Sequence, residues 1–247
     1  MQQAHFILQG KGGVGKSLVA SILAQYLTQT FSGSLPVHCF DTDPVNQTFS
    51  RYKALNTQMV KILNQDDNID SRLFDGLIEE LLTAEGIAVI DNGAATFVPL
   101  VGYLKENGII EFLEANGVHV ICHVVVTGGQ AMEDTFYGLA AVLHKLPVKV
   151  MVWSNEFFGA IEQNGKSLMD LKVMNDNHDR IVGVIRIPRR TADTFGKDIE
   201  NMVSANLTFD EVEKTPEFGI MSRQRLLTVK RDLFTSLDQL SFSGNLL

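Results

Sequence analysis

The sequence predicts an α/β fold in a single domain over residues 1–247, with a mostly parallel, twisted sheet and helices on both of its faces. Two observations predict it. Short β-branched and aliphatic runs alternate with longer segments of helical period, and these runs are apolar on both sides, as strands covered from above and below are. No linker or low-complexity tract interrupts the chain, so we expect one domain.

Six strands are predicted, each a short run rich in aliphatic residues. They are His5–Gln9, Val37–Phe40, Ile87–Ile90, Val118–Val126, Val148–Trp153 and Ile181–Ile187. The segments between the strands predict helices, the clearest being Ser17–Gln29, Phe74–Thr83, Ala131–Lys145 and Thr194–Asn201. This alternation of strand and helix is typical of a parallel sheet.

A C-terminal helix is predicted over about residues 222–240. Its apolar face is formed by Leu226, Val229, Leu233, Leu237 and Leu240. The opposite face has nearly balanced charge and lacks the basic residues of a helix that lies on a membrane surface. We therefore expect the apolar face to pack on the sheet and expect no stable membrane insertion.

Charge and cysteine content limit the function classes. The net charge of −8 argues against a broadly basic, DNA-binding surface. Arg186, Arg189 and Arg190 could still form a local DNA-contacting patch; the alternative is that these three arginines form a solvated rim. Cys39 and Cys122 each lie inside an apolar run, which predicts buried free thiols in a reducing compartment. No signal-peptide pattern and no apolar run of membrane-spanning length is present, so we expect a cytoplasmic protein.

The strongest local signal is the segment Gly10-Lys11-Gly12-Gly13-Val14-Gly15-Lys16-Ser17, between the first strand and the first helix. Its G-x-x-x-x-G-K-S spacing predicts a phosphate-binding loop. Glycines let several backbone N–H groups point at one anion, Lys16 reaches the β- and γ-phosphates, and Ser17 offers a hydroxyl to Mg²⁺. We predict binding of ATP or ADP with Mg²⁺ through these residues and Leu18; a glycine-rich turn with a surface lysine is the alternative.

Lys11 follows the first glycine directly, and an ordinary phosphate loop does not need a lysine there. With it, residues 11–17 resemble the deviant Walker A motif of the ParA/MinD group of P-loop ATPases. Four further segments resemble parts of that group in the same order. They are the switch I-like Phe40-Asp41-Thr42-Asp43-Pro44, the Walker B and switch II-like segment Ile87 to Gly93, Asn155, and Ile187-Pro188.

The resemblance implies a P-loop NTPase fold and an ATPase that forms a homodimer around nucleotide. It implies catalytic roles for Lys11, which would reach the phosphates of the partner copy, for Lys16, and for Asp43, which would orient the attacking water. Ser17, Asp41 and Asp91 would hold Mg²⁺. The remaining contacts to nucleotide would come from the backbone of Gly93 and from Asn155, Ile187 and Pro188.

Each later segment also has a purely structural interpretation. The Asp41–Pro44 and Asp91–Gly93 segments suit turns, Asn155 suits a residue that satisfies loop backbone groups, and Pro188 suits the end of a strand. The segment Asn92-Gly93-Ala94-Ala95 also departs from the Pro-Pro pair that many members of the group carry.

Stretches along nearly the whole chain further resemble the TraL-type proteins of plasmid conjugation, among them Thr127-Gly-Gly-Gln130 and Met221-Ser-Arg-Gln-Arg225. Segment 127–130 is either a recognition loop or a flexible turn. The resemblance implies an ATP-hydrolysing switch in conjugal transfer or plasmid partition, with a protein partner from that system. The alternatives are a nucleotide-binding recruitment scaffold and a ligase that resembles dethiobiotin synthetase. Relatives that bind an iron cluster or pump arsenite are disfavoured, because the sequence lacks the paired loop cysteines that they need.

Overall fold

A computed structural model describes residues 1–163 and 165–241, except for the side chain of Ser241. Its central sheet has seven strands, all parallel, in the order β3-β2-β4-β1-β5-β6-β9. The strands are β1 (Gln3–Leu8), β2 (Val37–Asp41), β3 (Gln58–Met59), β4 (Ile87–Asp91), β5 (His119–Thr127), β6 (Lys149–Asn155) and β9 (Ile181–Ile187). A separate antiparallel hairpin joins β7 (Glu162–Gln163) and β8 (Lys166–Ser167). The α/β prediction is confirmed.

Helices cover both faces of this sheet. They are α1 (Lys16–Thr30), α2 (Asp75–Thr83), α3 (Phe97–Glu106), α4 (Ile109–Ala115), α5 (Met132–Lys145), α6 (Lys172–Asn175), α7 (Lys197–Ser204), α8 (Phe209–Lys214) and α9 (Ile220–Ser241). Helices α2 to α5 pack on one face and α1, α8 and α9 on the other, which gives two hydrophobic clusters separated by the sheet. This layering explains why the strands are apolar on both sides.

The helix expected at 194–201 and strand β3 are two places where the structure differs from the sequence-based prediction. The helix expected at 194–201 begins as a π-helical turn, Ala192–Gly196, and becomes α-helical only at Lys197. Strand β3 was not predicted, because its two residues, Gln58 and Met59, are exposed and carry no apolar alternation. Such a short edge strand leaves no periodic signal in the sequence.

Helix α9 packs against the sheet through the leucine-rich face that the sequence identifies. Leu226, Val229, Leu233 and Leu237 are buried, and Leu240 packs against the same cluster. Leu240 lies so close to Gly183 of β9 that a Cβ at that glycine would come within 2.7 Å of it. Within the described residues, no helix is both long enough and apolar enough to cross a membrane. The helix expected at about 222–240 spans Ile220–Ser241.

The strand order places the loops of interest together. Strand β1 lies between β4 and β5, and β4 in turn pairs with β2. Because all of these strands are parallel, the segments that follow β1, β2 and β4 emerge at one edge of the sheet. Ligands bind preferentially at this edge, beside the strand where the order of connections reverses. The three acidic and glycine-rich segments singled out in the sequence are therefore neighbours.

Candidate nucleotide site

The segment between β1 and α1 has the backbone of an anion-binding loop. Gly13 and Gly15 have φ values of +73° and +100°, which only glycine adopts without strain. A Cβ at Gly15 would also come within 2.9 Å of the side-chain nitrogen of Asn155. Helix α1 begins directly at Lys16, with no side-chain cap and no acidic residue in its first turn. The positive end of the helix dipole is thus left for an external anion.

Lys16 is largely buried, and its ammonium group donates a hydrogen bond to the carbonyl oxygen of Lys11 at 2.8 Å. The side chain therefore folds back over the loop that it would share with a phosphate. Burial lowers the pKa of Lys16, and the nearby carboxylates of Asp91 and Asp43 oppose that shift. An incoming anion would add a countercharge in direct contact with this buried ammonium group.

Ser17 and Asp91 meet at the start of α1. The Ser17 hydroxyl donates to Oδ2 of Asp91 at 2.6 Å, while Oδ1 of Asp91 is buried and accepts no hydrogen bond from any described residue. Burial raises the pKa of Asp91 to about 7, against the hydrogen bond from Ser17, which lowers it. A buried acceptor without a donor costs about 1–3 kcal/mol of folding stability. This oxygen is therefore suited to coordinate a cation or to accept a hydrogen bond from a water.

The other two predicted carboxylates are engaged by backbone groups. Asp41 is fully buried and accepts the N–H of Asp43 at 2.9 Å and that of Ser50 at 3.0 Å, one on each oxygen. Burial raises the pKa of Asp41, and these two hydrogen bonds oppose the shift. Oδ1 of Asp43 accepts the N–H groups of Val45 and Asn46, each at 3.0 Å. Both aspartates thus order the loop after β2, as their turn interpretation expects.

The loops after β2 and β4 interlock. The Thr42 hydroxyl donates to the carbonyl of Asp91 at 3.1 Å and lies 3.2 Å from Oδ1 of Asn92, which also accepts from Thr96 at 2.6 Å. Gly93 lies against Asp43, since a Cβ on Gly93 would be 2.6 Å from the Asp43 carboxyl carbon. The switch II-like segment is therefore ordered by Asn92 and Gly93, where many members of the group carry two prolines.

Gln9 lies directly before the candidate phosphate loop, and the sequence did not single it out. It is fully buried, and its side-chain amide donates to the carbonyls of Val125 at 2.8 Å and Thr135 at 3.0 Å. Its side-chain oxygen accepts the N–H of Lys11 at 3.4 Å. Gln9 thus ties the start of the phosphate loop to β5 and α5. The signal in the sequence was a glutamine that closes an apolar strand directly before the glycines.

Asn155 reaches the phosphate loop from the end of β6. Its side-chain nitrogen donates to the carbonyl of Val14 at 2.9 Å, and its oxygen accepts the N–H of Phe157 at 3.2 Å. These contacts match its structural interpretation, and recognition of the base remains a prediction. Strand register places Ile187 directly beside Asn155, with Pro188 next in the chain. The three residues predicted to contact the base therefore lie along one edge.

Lys11 points away from its own loop. Its ammonium group forms an ion pair with Asp134 of α5 at 2.8 Å, and both side chains are about half exposed, at 44% and 54%. No hydrogen bond or ion pair among the described residues connects the Lys11 side chain to Lys16 or Ser17. An exposed pair of this kind contributes at most about 1 kcal/mol. The side chain is therefore easily redirected toward a ligand outside the chain.

The glycines of segment 127–130 are required by packing. A Cβ on Gly128 would come within 2.3 Å of the carbonyl oxygen of Gly159, and one on Gly129 within 2.8 Å of that of Phe158. The Thr127 hydroxyl donates to the carbonyl of Asn155 at 2.9 Å. The segment is thus packed against the turn that follows β6. A recognition role remains a prediction.

Two of the three arginines in the candidate DNA patch are neutralised. Arg186 makes two hydrogen bonds to Glu156, at 2.6 and 2.8 Å, and Arg190 bonds Asp232 at 2.6 Å. Arg189 is exposed. The solvated rim is therefore the better interpretation of this segment.

The described residues hold no metal site made by the chain alone, because no group of three or more His, Cys, Asp or Glu side chains is placed to bind an ion. Cys39 and Cys122 are buried free thiols, as predicted, and burial raises the pKa of each to about 12. Neither thiol is therefore suited to hold an iron cluster or arsenite. A Mg²⁺ ion at Ser17 and Asp91 would need further oxygens from a nucleotide and from water.

Comparison with known proteins agrees with this geometry. A family model described as "CobQ/CobB/MinD/ParA nucleotide binding domain" matches residues 5–227. Two Escherichia coli proteins, each named "Protein TraL", are 44% identical to the chain over 240 residues, which covers 96% of this chain and 98% of theirs. Both relatives therefore correspond to nearly the full length of the chain.

Among solved structures, "MinC:MinD cell division protein complex" from Aquifex aeolicus matches with a TM-score of 0.51 over 94% of this chain and 96% of that one. At 15% identity this likeness concerns the fold alone. It confirms the predicted P-loop NTPase fold. The family match covers residues 5–227, and the TraL relatives and the segment Gly10–Ser17 agree with it. The chain therefore belongs to the CobQ/CobB/MinD/ParA nucleotide-binding domain family, in agreement with its fold.

Proposed function

We propose that this protein is a cytoplasmic, nucleotide-switched ATPase of plasmid conjugal transfer or plasmid partition. ATP with Mg²⁺ binds at residues 10–17, two copies of the chain associate around nucleotide, and slow hydrolysis changes their affinity for a protein partner of the transfer or partition system. The two states would differ in the contacts that nucleotide makes with the loops after β2 and β4. The family match and the TraL relatives support the nucleotide and the plasmid context.

The observation that carries the proposal is the arrangement at the start of α1. A buried ammonium group, an uncapped helix N-terminus and two left-handed glycines converge on one loop. Each feature favours an anion, and together they fit a polyphosphate better than a single carboxylate. Beside them lies the Ser17–Asp91 pair, whose oxygens suit a hard cation.

Mg²⁺ fits this donor set. It binds at phosphate sites through one or two protein oxygens and keeps several of its waters. Ser17 provides a hydroxyl oxygen, and the orphaned Oδ1 of Asp91 is free to accept from a metal-bound water. Asp41, whose oxygens are both used by backbone N–H groups, would act on the ion only through water. When bound, Mg²⁺ would neutralise phosphate charge, while Lys16 holds the β- and γ-phosphates.

A specific observation favours a second candidate, a recruitment scaffold that binds nucleotide without useful turnover. Asp43, the residue expected to orient the attacking water, accepts three hydrogen bonds within its own turn, from Val45, Asn46 and the Asn46 side chain. A carboxylate held in this way must exchange one of these bonds before it can orient water. The scaffold and the ATPase therefore share the same binding site and differ in this step.

Phosphate release and nucleotide binding, measured on the same samples, separate the two candidates. Lys16→Ala should abolish binding, whereas Lys61→Ala, which replaces an exposed lysine outside the loop, should bind as the wild type does. Asp43→Asn keeps an oxygen for the turn and removes the charge, so it should bind ATP and release no phosphate. Binding without phosphate release by the wild type over many hours would reject the ATPase and leave the scaffold.

A further inference from the structure

The short segment at the end of β9, residues 187–188, is flanked by two arginines that each form an ion pair. Arg186, directly before it, makes two hydrogen bonds to Glu156 in the turn after β6, at 2.6 and 2.8 Å. Arg190, two positions after it, donates to Asp232 of α9 at 2.6 Å. The segment is therefore fixed on one side to the turn after β6 and on the other side to α9.

Arg190 is held by more than its ion pair. Its side chain is only 20% exposed, and its guanidinium carbon lies 5.1 Å from the centroid of the Phe195 ring. Phe195 in turn packs against the hydrophobic cluster on the α1 and α9 face of the sheet. A guanidinium group over an aromatic ring adds a cation–π attraction to the ion pair. Arg190 thus connects the end of β9 to α9 and to Phe195 at the same time.

Phe195 lies in the π-helical turn Ala192–Gly196. The N–H of Gly196 donates to the carbonyl of Thr191, five residues earlier, at 3.0 Å. Such turns are rare and occur frequently at functional sites. Because a π-helical turn contains more residues than an α-helical turn, it changes the direction of the side chains within it, Phe195 among them. Its position directly after Arg190 is a second reason to look for a role beyond folding.

The order of the strands indicates on which side of the phosphate loop a base can lie. On the β4 and β2 side are the carboxylates of Asp91, Asp41 and Asp43. On the other side, β9 ends in Ile187, which is followed by Pro188. Strand β9 is three positions from β1, about 14 Å at roughly 4.8 Å per strand, which is comparable with the length of a nucleotide. The apolar face of a base therefore fits better on Ile187 and Pro188, which we call the ledge, than beside three carboxylates.

The ledge and the phosphate loop are joined by Asn155. Ile187 lies in register with Asn155 of β6, whose side-chain nitrogen donates to the carbonyl of Val14 at 2.9 Å. Arg190 holds the ledge from its other side and makes no hydrogen bond or ion pair to residues 10–17, all of which the structure describes. A ledge released from α9 would thus lose its contact with the base, while the contacts of the loop with phosphate would stay in place.

We propose that Arg190 is a positioning residue for the nucleobase. Its ion pair with Asp232 and its contact with Phe195 hold the ledge where the base of a bound nucleotide packs. Arg190 acts through the ledge and does not itself touch the nucleotide. The proposal rests on the nucleotide binding of the proposed function and concerns the base alone.

Ligands with and without a base separate this role from a purely structural one. ATP and inorganic tripolyphosphate, each with Mg²⁺, are titrated into the full-length chain by calorimetry. Arg190→Ala should weaken ATP binding about tenfold and leave tripolyphosphate binding within about twofold, because only ATP uses the preorganised ledge. General destabilisation would weaken both ligands alike. Loss of positive charge would weaken tripolyphosphate more, because it carries more negative charge than ATP.

Arg189→Ala is the matched control, because it removes the same charge from the neighbouring position. Arg189 is exposed, and its side chain forms no hydrogen bond or ion pair with any residue in 1–163 or 165–241. The ratio of the two affinities should stay within about twofold of wild type in this variant. Asp232→Asn breaks the same ion pair from the side of α9 and should shift the ratio against ATP by about threefold. Arg190→Lys keeps the charge, loses the planar group and should fall between wild type and Arg190→Ala.

Three results would overturn the proposal, and they differ in what else they reject. Equal weakening of both ligands by Arg190→Ala, or an equal shift of the ratio in Arg189→Ala, would reject the positioning role alone. Equal affinity of the wild type for ATP and tripolyphosphate would show that the base contributes nothing, while phosphate binding would stand. Binding of neither ligand by the wild type would reject the nucleotide site and, with it, the proposed function.

Discussion

The contact between Gly138 and Gln9 gives an unusual prediction for a helical glycine. Gly138 lies in the middle of α5, and replacing such a glycine with alanine normally stabilises a helix by about 0.5–1 kcal/mol. Here a Cβ would come within 1.9 Å of the side-chain oxygen of Gln9, a fully buried residue. Gln9 would have to move away from the carbonyls of Val125 and Thr135, to which it donates.

Losing two hydrogen bonds of this kind costs about 1–3 kcal/mol in total, at roughly 0.5–1.5 kcal/mol each. After the usual gain from alanine is subtracted, Gly138→Ala should lower the free energy of unfolding by about 1 kcal/mol, within a range of about 0–2.5 kcal/mol. Gly102, in the middle of α3, is the matched control because a Cβ added there would meet nothing within 4 Å. Gly102→Ala should raise the free energy of unfolding by about 0.5–1 kcal/mol.

Urea unfolding monitored by circular dichroism measures both changes. A double-mutant cycle then tests the cause, because Gly138→Ala should become stabilising in a Gln9→Ala background, where the obstructing side chain is gone. Since Gln9 also accepts the N–H of Lys11, nucleotide affinity should fall in Gly138→Ala and not in Gly102→Ala. If the two alanine variants are equally stable, the contact between Gln9 and α5 does not constrain Gly138 and the reasoning is refuted.

Two further predictions concern buried hydrogen bonds. The Trp153 side chain donates a hydrogen bond to His123 at 2.9 Å, and His123 lies 2.9 Å from His5. Burial lowers the pKa of His5 to about 4 and the pKa of His123 well below 6.5. Both imidazole rings are therefore neutral in the folded chain. In the unfolded chain, each histidine binds a proton near pH 6.5, which the buried ring in the folded chain does not. Each histidine therefore lowers the free energy of unfolding as the pH falls, by about 2 kcal/mol between pH 7 and 5. Asp91 and Asp41, whose pKa values are raised, change the stability in the opposite direction as the pH falls. The test is therefore the difference in the free energy of unfolding between wild type and His5→Gln, which should shrink by about 2 kcal/mol between pH 7 and 5. A difference that stays constant over this range would contradict a neutral His5–His123 pair. Thr42→Val should lower the free energy of unfolding by about 1–2 kcal/mol, because the Thr42 hydroxyl contacts both Asp91 and Asn92. Thr42→Ser keeps the hydroxyl and should recover most of this loss in urea titrations. An equal loss in both variants would show that packing of the Thr42 methyl group, and not its hydroxyl, is responsible.

The parts of the fold that repeat a pattern could be predicted from the sequence. Each of the six expected strands is present within a few residues, because buried parallel strands are short continuous apolar runs. Strand β3 and helix α8 escaped notice, since an exposed two-residue strand and a six-residue helix carry too little periodic signal. The π-helical start of the 192–204 segment is likewise a matter of hydrogen-bond register, which residue types do not specify.

The Gly10–Ser17 segment could be identified as a candidate phosphate-binding loop from the sequence, because that chemistry depends on residue types at fixed spacing. What escaped prediction were residues whose role comes from a distant partner. Gln9 bonds Val125 and Thr135, which are more than one hundred positions away in the chain. Asn92 looked like a departure from the group's pattern, yet it accepts from Thr96 and lies beside Thr42. Only the assembled sheet brings these side chains together.

The central claim is that nucleotide switches this chain between one copy and two. Light scattering on Asp43→Asn, which should retain bound ATP, tests it directly in Mg²⁺ with ATP and with ADP. Lys11→Ala in the same background is the matched control, because the exposed Lys11–Asp134 pair contributes little to folding. We expect a mass near twice 27.3 kDa with ATP, 27.3 kDa with ADP, and 27.3 kDa in both nucleotides without Lys11. The same mass with ATP and with ADP in the Asp43→Asn protein would contradict the switch.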